Sequence, residues 1–231
     1  FTPYLRAWLA RLQARADADV SARSTATLAR QLAALDPALA CGVPTLSSLG
    51  FEASNLRQIG IAPGSSGAQA LLREFLGRMG AYGERRNFPA VKGPSYLGVH
   101  LRFGTVSIRE LVRAALPAQR SGDSGAQVWL AELVWREFYV QILANFPHVA
   151  TRAFKPEYDA IQWDTDEAAH QRFAAWCAGR TGYPLVDAAM LQLNHSGYMH
   201  NRLRMVAGSF LVKHLGLDWR WGERYLSLIH I

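Results

Sequence analysis

The stretch from Gln127 to Phe146, ended before Pro147, sets the terms for what this chain can fold into. At about 100° of rotation per residue its apolar side chains cover most of a helical circumference, the pattern of a buried helix. Glu132, Trp135, Arg136 and Tyr139 nevertheless fall on one stripe, at offsets of 0, 3, 4 and 7. A carboxylate, an indole and a guanidinium on a buried helix either line a cavity or close an internal network. An ordinary Glu132–Arg136 pair at spacing four is the simpler account of the same residues.

The rest of the chain also reads as helix. Thr2 and Pro3 open a helix through about Arg15. Residues 36–67, with Pro37, Pro44, Pro63 and paired serines, read as an extended linker. Leu71, Leu72, Phe75, Leu76 and Met79 share a face of a helix from about Gln69 to Met79. Gly83, Pro89, Gly93, Pro94, Gly98 and Gly104 make residues 80–104 a long ordered loop with short helical turns. Ser107-x-x-Glu110 and Asp164-x-x-Glu167 are capping boxes, opening helices to about Leu116 and Ala178. Pro184 starts a helix that runs to about His195 and stops at Gly197. A last long helix covers Met199 to Leu215. No alternating strand pattern and no repeat interrupts this reading, so the expected fold is all-α.

On that last helix Asn201, Arg204, Met205 and Gly208 form a second stripe at the same offsets. Gly208 removes side-chain bulk there, for a flat ligand or for close helix packing. Arg202 points elsewhere and is placed to reach a phosphate. The two stripes together suggest a pocket for a planar, polar, partly anionic ligand.

Composition narrows the classes. Half the residues are hydrophobic, with 7 Trp, 8 Tyr and 10 Phe, which excludes a disordered chain. No apolar run approaches the roughly 18 residues of a membrane span, so no membrane partner is expected. FTPYLRAWLARL lacks the layout of a signal peptide. Cys41 and Cys177 stand alone, as free thiols of a cytoplasmic protein do, and the seven His form no cluster with metal-ligand spacing. The net charge is +7, and of the 25 basic residues only Lys92, Lys155 and Lys213 are lysines. This surplus points to an anionic partner, nucleic acid first, although coding bias accounts for it equally. Walker, GxGxxG, Gly-x-Ser-x-Gly and His-Glu-x-x-His motifs are absent.

WLAELVWREFY (Trp129 to Tyr139) and GRTGYPLVDAAMLQLNHSGYMHNRLRM (Gly179 to Met205) resemble the signature of the DNA photolyase/cryptochrome family. The resemblance continues through SFLVKHLGLDWRWGERY to Tyr225, and FTPYLRAWL resembles the segment that leaves the family's antenna-binding domain. Tyr82 to Gly104 resembles the loop that meets the flavin phosphates. The resemblance implies light-driven repair of pyrimidine dimers in DNA by fully reduced FAD, the dimer being flipped out of the duplex into a cavity over the flavin. It implies that Glu132 contacts the base edges of the dimer, that Trp135 stacks on it, and that Asn201 and Met205 wall the same cavity. Tyr82, Ser95, Leu97, Trp129, Arg136 and Arg204 match flavin contacts. Arg86 and Arg202 match positions that meet DNA phosphates, and Trp163 and Trp219 match two tryptophans of the relay that photoreduces the flavin. Glu132, Trp135 and Met205 together favour a cyclobutane-dimer photolyase over relatives that repair the 6-4 photoproduct. A cryptochrome-type light sensor without repair, or an inert helical fragment, is the alternative.

Three departures qualify the resemblance. Pro94 and Gly98 replace residues whose hydroxyls often hold the flavin phosphates, and Tyr198 stands where a Trp is common. After Tyr225 the similarity ends, and the antenna domain with its chromophore is absent. The chain is accordingly expected to be the end of an antenna domain and a linker (1–67), an incomplete helical FAD-binding domain (68–225) and a non-family tail (226–231). Alone it is expected to hold FAD weakly or not at all. The expected partner is DNA containing pyrimidine dimers, met by a monomer.

Overall fold

The computed structural model describes residues 1–14, 42–52, 55, 60 and 62–228. It is helical, with no strand among the described residues. In chain order the helices are α1 (Thr2–Ala14), α2 (Gly64–Leu76), α3 (Tyr82–Arg85), α4 (Gly98–Arg102), α5 (Ile108–Arg120) and α6 (Ser124–Asn145). There follow α7 (Glu167–Cys177), α8 (Pro184–Ser196), α9 (Asn201–Lys213) and α10 (Trp219–Leu228). None of them is long and apolar enough to cross a membrane.

Two apolar clusters hold these helices. The first packs Phe75 of α2, Leu111 and Ala115 of α5, and Trp129, Leu130 and Leu133 of α6, with Trp8, Leu9 and Leu12 of α1 leaning on it. The second packs Trp176 of α7, Met190 and Leu193 of α8, Leu211 of α9 and Leu217. Gly125 lets α6 pass against the chain ahead of α3, because a Cβ there would overlap the Met79 and Gly80 carbonyls. This contact fixes the start of the helix that carries Glu132.

Several expectations shift in detail. Helix α6 begins earlier, at Ser124, because Asp123 Oδ1 accepts the Ala126 amide at 2.8 Å. Its first half is buried as the pattern requires, but its second half is open, with Tyr139 62% and Leu143 52% exposed. The Ser107 hydroxyl accepts the Arg109 amide, while Glu110 is drawn to Gln69 on α2 instead of closing a box. Asp166, not Asp164, caps α7 through the Ala169 amide, and Asp164 takes Arg172. Within 36–67, α2 already starts at Gly64 and a short 3-10 turn covers Ser47–Leu49, while residues 36–41 lie outside the described residues. Helix α10, past Gly216, was not expected. Asp123→Ala should cost about 1 kcal/mol of stability, the usual value of a lost N-cap, read by urea unfolding.

Candidate ligand cavity and adjoining patch

A cavity of about 780 Å³ opens where α2, the loop before α4 and the α8–α9 turn meet. That is ample room for a cofactor-sized molecule. Leu71 and Glu74 come from α2, Tyr96, Gly98 and His100 from the loop and α4, Tyr198 and Met199 from the turn, and Arg204 from α9. The α8–α9 turn is shaped by Gly197, whose φ of +68° ends α8. His200, buried, starts α9 with its Nδ1 accepting the Arg202 amide at 3.2 Å.

Arg204 is the most informative wall residue. Its Nη2 is shielded from solvent and donates to nothing among the described residues. Burial pushes the guanidinium pKa below the ordinary arginine value, with nearby Tyr198 opposing. A desolvated cation without a partner is costly, so this wall is suited to an acceptor brought by a ligand. In the same cavity, Tyr96 and Tyr198 meet with ring centroids 5.2 Å apart and planes at 58°. Tyr96 has φ +56°, the only positive φ among the described non-glycine residues, and such strain concentrates at ligand sites. Burial also pushes the Tyr198 phenol well above its ordinary pKa, so this ring meets a ligand uncharged.

The other expected flavin contacts are placed variously. Leu97 is buried in the first core beside this loop, and the Ser95 hydroxyl accepts the Leu97 amide at a long 3.5 Å. Tyr82 is buried behind the loop, its phenol pushed up to about 12 by burial and its ring under the Arg86 guanidinium at 5.4 Å. Trp129 packs into the core against Phe75, with centroids 4.7 Å apart, and Arg136 is exposed on α6. The structure therefore brings Arg204 to the cavity and leaves Trp129 and Arg136 away from its wall. Tyr96, His100 and Glu74 are wall residues that no sequence motif singled out.

A polar patch adjoins the cavity. Arg86 is ion-paired with Glu132, the partner that replaces the expected Arg136. Burial penalises the charged Arg86, but its bond to Glu132 and the neighbouring Tyr82 outweigh this and keep it charged. One residue on, Asn87 Oδ1 accepts Arg202 Nε at 3.1 Å and Nη2 at 2.7 Å, and Arg202 Nη1 reaches the Met205 sulfur at 3.7 Å. Asn201 and Met205 are exposed at the same end of α9. Trp135 is stacked on Phe1, with centroids 3.4 Å apart and planes 8° from parallel, and more loosely on Tyr139. A second, smaller cavity of about 340 Å³ is lined by Arg204, Gly208 and Trp219. The Arg220 guanidinium lies 4.7 Å over the Trp219 ring. Trp163 is half-buried and forms no ring pair with Trp219 among the described residues.

The family model described as the FAD binding domain of DNA photolyase matches residues 129–230, which span α6 to α10. A deoxyribodipyrimidine photo-lyase of Vibrio cholerae is 39% identical over 97% of this chain and 46% of its own length. The chain belongs to the DNA photolyase/cryptochrome family. Its all-helical fold is that of the matched part of the family's solved structures. A bacterial class III photolyase from Agrobacterium tumefaciens superposes with a TM-score of 0.74 at 32% identity, covering 89% of this chain and 46% of that one. A Synechocystis cryptochrome gives 0.68 at 29% identity, covering 81% and 40%. The chain spans less than half the length of these relatives.

Proposed function

We propose that this chain is the flavin-holding and lesion-reading part of a light-driven cyclobutane pyrimidine dimer photolyase, acting on damaged DNA as a cytoplasmic monomer. The observation that carries the reading is the double service of the first turns of α9. Arg202 and Met205 join Glu132 and Arg86 in one patch, while Arg204, between them in sequence, lines the adjoining cavity. A base lesion on the patch would thus lie next to whatever the cavity holds.

The cavity residues fit FAD: an unpartnered buried guanidinium suits its acceptor-rich groups, and two tilted tyrosines suit its flat rings. Arg204, Tyr96 and Tyr198 would hold it, with Ser95 and Leu97 shaping the loop behind. Bound there in its reduced form, FAD would supply the reversible, light-driven electron donation that splitting of a cyclobutane ring requires. The chain's residues do the rest. Arg86 and Arg202 engage phosphates and set register without reading sequence. Trp135 would stack on the extruded bases in place of its present neighbour Phe1, and the flipping itself costs a few kcal/mol, least for a damaged pair. Glu132 accepts from the base N–H groups, and its release from Arg86 accompanies the arrival of the lesion. Trp163 and Trp219 would carry electrons inward to reduce the cofactor.

Illuminating thymine-dimer DNA with the full-length protein tests this. Glu132→Gln should lower the repair yield by about tenfold, one charge-assisted contact, while FAD content stays unchanged. Equal loss of both would make Glu132 structural. The likeness to the Synechocystis cryptochrome supports a second reading, a blue-light sensor. Full FAD occupancy with no thymine recovery would favour it.

A further inference from the structure

The loop that brings Tyr96 and Gly98 to the cavity is gripped on its far side by Arg78, just past α2. Arg78 Nη1 donates to the Lys92 and Gly93 carbonyls and Nη2 to the Pro94 carbonyl, each at 2.8 Å. Its Nε donates to Glu74 Oε1 at 3.0 Å, and its guanidinium lies over the Phe75 ring at 5.1 Å. The side chain is only 14% exposed, and Arg78 is not part of the cavity wall. Three consecutive carbonyls on one planar fork is an arrangement a lysine ammonium does not reproduce. The loop is tight here as well, since a Cβ on Gly93 would overlap the Arg85 backbone. With the carbonyls of 92–94 turned to Arg78, the amides of Ser95 and Tyr96 find no acceptor among the described residues. These two amides are left free for an acceptor brought by a ligand.

We propose that Arg78 is the positioning residue of the ligand-binding loop: it fixes the backbone of residues 92–98 so that the loop receives an acceptor-rich ligand, without touching that ligand itself. The identity of the ligand rests on the flavin reading above, whereas the grip on the loop does not. The test uses the purified chain, with Arg78→Lys, which keeps the charge and the reach to Glu74, and Arg78→Gln as the second variant. Amide hydrogen exchange at residues 93–98 should quicken roughly tenfold in both, with the unfolding midpoint within about 3 °C for Arg78→Lys. In FAD titrations of the full-length protein the dissociation constant of Arg78→Lys should rise about tenfold, the worth of one or two charge-assisted hydrogen bonds. Unchanged loop exchange overturns the proposal, and so does faster exchange with unchanged FAD affinity. A uniform rise in exchange across all helices also overturns it, by making Arg78 a general stabiliser. Failure of the full-length protein to take up FAD would overturn the flavin reading, while the loop exchange would still decide the grip.

Discussion

Replacing Arg204 by Leu is expected to weaken FAD binding by about 10- to 100-fold, the range spanned by one hydrogen bond from a charged donor. The same substitution should leave the ligand-free chain as stable as before, or more so. The reason lies in the unpaired Nη2: in the ligand-free protein this nitrogen is buried without a partner, and burial disfavours the charged form of the group. A leucine, shorter and uncharged, removes that penalty and keeps an apolar side chain beside Leu203 and Ala207. Fluorescence titration with FAD and thermal unfolding of the free chain read the two halves separately. A variant that binds FAD normally would remove Arg204 from the cofactor site, and one that unfolds early would make it a structural residue.

Trp176→Ala should be the most damaging single change to the fold, at about 4 kcal/mol, the usual range for deleting a buried indole. Trp176 is fully buried at the centre of the second cluster. Its ring lies 5.9 Å from both Phe173 and Tyr225, and its Nε1 donates to the Ala207 carbonyl at 3.1 Å inside α9. Truncation leaves a cavity and removes the second donor to the Ala207 carbonyl. For a chain of this size the unfolding midpoint should fall by roughly 10 °C, and Trp176→Phe should recover part of it. A shift of only a degree or two would mean that α7 is peripheral to the fold.

The helices were legible where local physics decides them. The apolar circumference of 127–146, Pro184 at a helix start and Gly197 at a helix end read through to the structure with small shifts. Caps were less legible, since Asp164 and Asp166 satisfy the same pattern and only the backbone geometry chooses between them. The carboxylate–indole–guanidinium stripe on α6 marked Glu132 correctly as a residue with a partner, but the partner came from 46 residues away. A rule built on spacing within one helix carries no information about the end of α3. Tyr96 was illegible for a different reason: nothing about a tyrosine announces a left-handed backbone. The open second half of α6 defeated the pattern too, because an all-round apolar sequence does not say what covers it.

The shared service of α9 has a thermodynamic consequence. The same turns carry Arg204 to the cavity and Arg202 and Met205 to the patch, and α9 meets the other half of the molecule through the Asn87–Arg202 bond and the adjoining Tyr96–Tyr198 pair. Under the proposed function, any cofactor that settles α9 pre-orders the surface that receives the lesion. Linkage then makes the effect reciprocal: the factor by which bound FAD tightens the grip on damaged DNA equals the factor by which damaged DNA retains FAD.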